Sequence, residues 1–197
     1  KDEHLPRIAR GEVTWCQGFS EPGAGSDLAS LNTRAVRDGD DFVINGQKIW
    51  TSGAKSADWI HVLTRTDPAA AKHRGITYFM LDMKTPGINV RPIQQMHGGA
   101  EFNETFFEDV RVPAANIIGE ENRGWYIAAT ALDFERSGIF RMAGMIGPFN
   151  RLTEFAKQPD SAGMGRRIAD THEHRLKLAE TATEMVVARY LGYRVTW

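Results

Sequence analysis

Between Gly18 and Asp27 the chain reads GFSEPGAGSD, two hydroxyls and two carboxylates set among three glycines and a proline. A glycine-rich polar loop suggests a phosphate cradle, but the spacing rules it out. A dinucleotide fingerprint needs a third glycine three residues after the second, and a P-loop needs a Lys-Ser/Thr pair. Gly23 and Gly25 are followed by Leu28, and no such pair follows. The loop is therefore shaped for something other than phosphate. Its glycines allow close backbone approach and Pro22 stiffens the turn. Glu21 stands directly before Pro22 and suits a structural hydrogen bond better than acid or base work. Ser26-Asp27 has the look of a helix N-cap pair. Metal chemistry has little support: His4, His61, His73, His97, His172 and His174 form no HExxH pattern. Cys16 is the only cysteine, which excludes an internal disulfide and a multi-cysteine metal site, and it reads as a small buried hydrophobe.

The elements that must position these residues divide the 197-residue chain in two. From about Gly11 to Pro113 the texture is β. Phe42-Val43-Ile44 leads to Asn45-Gly46, the favoured two-residue hairpin turn, and Gln47 to Trp50 returns. Further strands are expected at Trp59–Thr64, Thr77–Met83, Ile88–Ile93 and Phe102–Val112. Short strands with Gly, Pro and Asp turns and no interposed helix predict an antiparallel barrel or sandwich. After Pro113 apolar residues recur at helical spacing, at Ile127, Ala131, Phe134, Ile139, Met142 and Ile146, with Pro148 placed to kink or end the helix. Residues 158–166 read as a loop. A second helix is expected from about Arg167, with Leu176, Ala179, Thr183, Val186 and Tyr190 as its core stripe. The fold class is thus α+β, a β domain followed by helices.

Bulk properties narrow the functions. A net charge of -1 gives no field to recruit nucleic acid or an anionic membrane. No apolar run approaches the roughly 20 residues that cross a bilayer. A single buried-type cysteine suits a reducing compartment. The chain starts without methionine and stops within VVARYLGYRVTW, as expected of a piece of a longer protein.

The order of motifs resembles the acyl-CoA dehydrogenase family, in its bacterial wording. GFSEPGAGSDLASLNTRA looks like the family's signature loop and NGQKIWTSGAKSADW like its second flavin segment. PGINVRPI, EFNETFFEDVRVPAANIIGEENRGW and ALDFER follow in the family's order. The resemblance implies residues 1–10 as the end of a preceding helical domain, 11–113 as a β-barrel flavin-binding middle domain, and 114–197 as the start of a four-helix-bundle domain. It implies FAD as cofactor and α,β-dehydrogenation of an acyl-CoA thioester. A glutamate takes the α-proton, hydride goes to flavin N5, and an electron-transfer flavoprotein accepts the electrons.

By position in the motifs, Gln17 and Phe19 offer backbone groups, and Ser20 its hydroxyl, to the pyrimidine edge of the ring. Trp50 packs against the ring, which outweighs the plainer reading of a core strand tryptophan. Thr51 and Ser52 lie near N5. Gly25, Ser26, Asp133 and Arg136 contact the acyl-CoA. Phe19 departs from the family's usual aliphatic residue, and serines stand where threonines are common. Glu135 is the catalytic base by motif, the alternative being a glutamate beyond Trp197. Rival functions are an oxygen-using acyl-CoA or nitroalkane oxidase, and a non-catalytic subunit of a hetero-oligomer. The resemblance further implies a homo- or hetero-oligomer, dimer or tetramer, in the bacterial cytoplasm or, as an alternative, the mitochondrial matrix. The isolated piece is expected to bind FAD poorly.

Overall fold

The computed structural model describes residues 1–136 and 138–196, which fall into two units, Lys1–Ala129 and a second beginning at Thr130. The first unit opens with a short helix, α1 (His4–Ala9). Seven strands follow: β1 (Trp15–Gly18), β2 (Arg34–Asp38), β3 (Asp41–Lys48), β4 (Trp59–Arg65), β5 (Ile76–Asp82), β6 (Ile88–Pro92) and β7 (Asn103–Pro113). They form one curled sheet in the order β1-β4-β2-β3-β7-β6, with β5 on the other side of β4. The α+β class holds. Within it the sheet is mixed, because β1 runs parallel to β4, pairing Cys16 with Ile60 and Gly18 with Val62.

Alternation puts one face of each strand into a shared core of Phe42, Ile44, Ile60, Val62, Phe79, Leu81, Phe107, Val110 and Val112. Strand β5 is buried on both faces along Ile76–Phe79. Its outer face lies under the segment that leads into α2 (Gly124–Arg136): Ile118 N–H donates to the Tyr78 carbonyl at 2.8 Å, and a Cβ at Gly124 would sit 2.4 Å from the Tyr78 nitrogen. Only glycine permits that approach.

The Asn45-Gly46 hairpin does not form. Strand β3 runs unbroken through both residues, and the hairpin is made earlier, where Asp38 pairs with Asp41 across Gly39 (φ 64). Asn45-Gly46 instead faces a β-bulge. The register against β7 shifts between Ile44 and Gly46, and the Asn45 side chain bonds the Asp109 carboxylate at 3.0 Å and accepts from the Asp109 N–H at 2.9 Å. Gly46 is required for a different reason than turn geometry. A Cβ there would lie 2.7 Å from the Thr33 Cα. Sheet continuity and a close strand crossing override the local turn preference.

The second unit contains the remainder of α2, then α3 (Ile139–Lys157) and α4 (His172–Thr196). The single helix expected up to Ile146 is two, since α2 ends at Arg136 and Gly138 is left-handed (φ 59) ahead of α3. Pro148 lies inside α3, which continues to Lys157. Helix α4 starts at His172, after a 3-10 turn over Ile168–Asp170. Its expected core stripe is a correction: Leu176, Ala179, Thr183, Val186 and Tyr190 are all exposed. Apolar residues encircle this helix, so no single stripe defines its inner face. Ala182, Met185, Val186, Arg189 and Tyr193 line a groove with Ile139, Met142 and Ile146 of α3. No helix among the described residues is long and apolar enough to cross a membrane.

Candidate functional site

Strand β1 delivers the glycine-bearing loop. Gly18 ends the strand where a Cβ would meet Ile60 Cδ1 at 3.0 Å and Val62 Cγ2 at 3.2 Å. The chain then turns sharply: Glu21 N–H donates to the Ala24 carbonyl at 2.8 Å, and Ala24 N–H returns a bond to the Glu21 carbonyl at 3.0 Å, with Pro22-Gly23 at the corner. The Glu21 side chain folds inward beneath the turn. Its carboxylate accepts from the Asn32 N–H at 2.6 Å, the Thr33 N–H at 2.9 Å and the Lys48 ammonium at 2.8 Å. Burial works to raise the Glu21 carboxyl, and the Lys48 charge with these hydrogen bonds outweighs it, leaving the group below its ordinary value. This is the structural role expected of Glu21.

Lys48 is 0% exposed, and its ammonium also donates to the Phe19 carbonyl at 3.0 Å. Burial brings its pKa down to about 8 against the pull of Glu21.

The second segment begins where β3 ends. Ile49 N–H donates to the Ser20 carbonyl at 2.9 Å, which sets the two segments side by side. Trp50 follows in the left-handed region (φ 62) and is 57% exposed, its ring edge-on to Phe102 at 6.2 Å. It is neither in a strand nor in the core. Thr51 is anchored through Asn103: its N–H donates to the Asn103 carbonyl at 3.0 Å, and Asn103 Nδ2 donates to its carbonyl at 2.9 Å. The Thr51 hydroxyl is buried with no partner among the described residues. Ser52 is exposed in the turn completed by Gly53 (φ 70).

The structure thus sets Ser20 beside the segment that carries Trp50, Thr51 and Ser52, and ties Phe19 to Lys48 at the end of β3. Gln17 lies within β1, paired with His61. Phe19, the departure from aliphatic, is buried with its ring edge-on to both His61 and Tyr78, each at 5.7 Å. Its side chain therefore serves the aromatic core, and its carbonyl is taken by the Lys48 ammonium. The Tyr78 hydroxyl lies 2.6 Å from His61 Nδ1. Burial lowers the His61 pKa to about 4 and raises that of Tyr78, so a neutral imidazole meets a protonated phenol. Gly25 and Ser26 are exposed, and a Cβ at Gly25 would meet nothing within 4 Å. Asp27 precedes a 3-10 turn without capping its backbone; its carboxylate takes Ser30 Oγ at 2.6 Å and the Lys72 ammonium at 2.5 Å. Cys16 is buried with its thiol pKa pushed up to about 12, as expected of an inert hydrophobe.

Asp133, Glu135 and Arg136 lie on α2 in the second unit, all exposed, and Arg136 pairs with Asp133 at 3.3 Å. An exposed i, i+3 pair of this kind contributes little energy.

A profile of the acyl-CoA dehydrogenase middle domain matches residues 16–110, and one of the acyl-CoA dehydrogenase C-terminal domain matches residues 122–197. The chain belongs to the acyl-CoA dehydrogenase family. Among relatives, the acyl-CoA dehydrogenase IpdE1 of Mycobacterium tuberculosis is 51% identical over 80% of this chain and 42% of its own length. FadE26 of the same organism is 40% identical over 97% of this chain and 48% of its own. Among solved structures, the ChsE4-ChsE5 complex from Mycobacterium tuberculosis is 39% identical with a TM-score of 0.76, covering 98% of this chain and 50% of that one. The chain spans less than half the length of the two relatives.

In this member of the family, the residues that motif reading left out are the supports. Lys48, Asn103 and the His61–Tyr78 pair were not singled out. Lys48 had a signal: it shares the even-numbered face of β3 with Phe42 and Ile44, so alternation turns a lysine inward.

Proposed function

We propose that the protein containing this chain catalyses α,β-dehydrogenation of an acyl-CoA thioester with FAD, its ring held between the loop after β1 and the segment after β3. An isoalloxazine is a flat aromatic slab with a polar pyrimidine edge. The residues present fit it. Among the described residues neither the amide nor the hydroxyl of Ser20 has a hydrogen-bond partner, and Trp50, the residue after Ile49, which bonds the Ser20 carbonyl, is exposed. In this reading Gln17, Phe19 and Ser20 hold the pyrimidine edge, Trp50 walls the ring, and Thr51 and Ser52 lie near N5. Gly25, Ser26, Asp133 and Arg136 hold the thioester substrate, and the open space at Gly25 admits it. FAD, when bound, supplies the hydride acceptor. Glu135 takes the α-proton, and electrons leave to an electron-transfer flavoprotein. Likeness to the ChsE4-ChsE5 complex supports assembly with a second chain.

The observation that carries this reading is the 2.9 Å bond from Ile49 N–H to the Ser20 carbonyl, which unites two segments distant in sequence. The visible spectrum of the full-length protein, followed by titration with acyl-CoAs of graded size, tests it: a flavin spectrum that bleaches with substrate is expected, and a colourless protein defeats it. Glu135→Gln is expected to keep the flavin and slow its reduction by acyl-CoA by several orders of magnitude, as measured by stopped-flow absorbance. Unchanged reduction removes Glu135 as the base.

A further inference from the structure

The Lys48 ammonium is withdrawn completely from water, and Glu21 alone is enough to balance its charge. It nevertheless grips a second acceptor, the Phe19 carbonyl at 3.0 Å. That carbonyl and the Ser20 N–H belong to one peptide unit, which is trans like all the others described. The N–H therefore points away from the ammonium. It meets no acceptor among the described residues. A cation on the oxygen end of a peptide draws electron density from its nitrogen end, and hydrogen bonds in such a chain reinforce one another.

We propose that Lys48 is a positioning residue that fixes and polarises the Phe19–Ser20 peptide, making the Ser20 N–H a strengthened donor to an electron-rich acceptor on the flavin's pyrimidine edge. This deepens the flavin reading above and rests on it. Glu21 is the counterion that lets the ammonium stay charged in the core, and its bonds to Asn32 and Thr33 hold that counterion still. The benefit of such a donor grows with negative charge on its acceptor. Loss of the lysine charge must therefore lower the flavin's reduction potential as well as its affinity.

The test compares three forms of the full-length protein: the parent, Glu21→Gln, and the double variant Lys48→Met/Glu21→Gln. The double variant removes both charges at nearly constant volume. FAD affinity is read by fluorescence titration and the potential by equilibration with redox dyes, each after far-UV circular dichroism has confirmed folding. Lys48→Gln/Glu21→Gln fills the slot with a neutral polar amide and stands in should the apolar pair not fold. Glu21→Gln leaves Lys48 without its counterion. At low pH, where the ammonium is retained, it is expected to match the parent's potential measured at the same pH. As pH rises and the buried lysine gives up its proton, the variant's potential is expected to fall toward that of the double variant. The double variant is expected to bind FAD about tenfold more weakly and at a more negative potential. A folded double variant with the parent's Kd and potential overturns the proposal. So does a Glu21→Gln shift, taken against the parent at the same pH, that is equal at every pH, which would mean that the loop's support matters and the charge does not. A parent that binds no FAD defeats the flavin reading and this inference together, and is thereby distinguished from failure of the inference alone.

Discussion

Within the space of one turn, this chain treats polar residues in two opposite ways. Beneath the Pro22-Gly23 corner, Glu21 and Lys48 are buried and bonded to each other and to three backbone groups. Just above, Ser20 has an amide and hydroxyl without partners among the described residues, Ser52 is exposed, and Trp50 leaves over half its surface to solvent. The buried set is all support and the exposed set all surface. Burying an ion pair contributes little to stability by itself, since desolvation offsets most of the attraction. Its value here is that it fixes the backbone from which the exposed set projects. A site whose first residues are held by a rigid second layer keeps its geometry without needing its own side chains to bond one another.

The contrast breaks first at Lys48. Lys48→Met alone strands the Glu21 carboxylate in the core, and is expected to cost about 3–5 kcal/mol. Lys48→Met/Glu21→Gln should recover most of that loss, read as urea midpoints in the full-length protein. If the single and double variants are equally unstable, the pair is not the source.

A smaller effect comes from the aromatic floor behind Phe19. His61 is held neutral at a pKa of about 4 by burial, whereas an unfolded histidine titrates near 6.5. Below 6.5 the unfolded chain binds the proton that the folded chain refuses. Stability from this group is therefore full above pH 6.5 and lost progressively as pH falls to 4, by about 3 kcal/mol. Carboxylates whose pKa values folding lowers, such as Asp58 and Glu21, add to the acid loss. The check is a difference: His61→Gln should be less stable at pH 7 and show a shallower decline between pH 6.5 and 4.5 than the parent.

Much of the first unit was legible because strand alternation and Gly, Pro and Asp turns are local signals. The predicted Trp59–Thr64 and observed Trp59–Arg65 differ by one residue. What was not legible was decided at a distance. Asn45-Gly46 is a good hairpin turn taken alone, yet the sheet needed Gly46 where Thr33 crosses. The parallel pairing of β1 with β4 leaves no mark on either strand's pattern. Lys48 was passed over because lysine is ordinarily a surface residue, although its parity with Phe42 and Ile44 pointed inward. In the second unit, apolar residues all around α4 concealed which face would turn toward α3. Of the site, the motifs named the surface set but not the supports, because a support is defined by what it bonds and a motif by what it resembles.

Trp50 gives the smallest stability effect and the sharpest form of the contrast. A tryptophan buried in a core costs several kcal/mol when cut to alanine, and that is what a core strand residue would show. At 57% exposure with one edge-on ring neighbour, Phe102, Trp50→Ala forfeits little packing, and the left-handed backbone at φ 62 strains alanine about as much as it strains tryptophan. The expected stability change is within about 0.5 kcal/mol. FAD affinity in the same variant is expected to fall about tenfold, from the loss of one stacking wall. An exposed indole with that pair of values is kept for a ligand. A large stability loss with unchanged FAD affinity would instead return Trp50 to the supporting set and leave the ring without its wall.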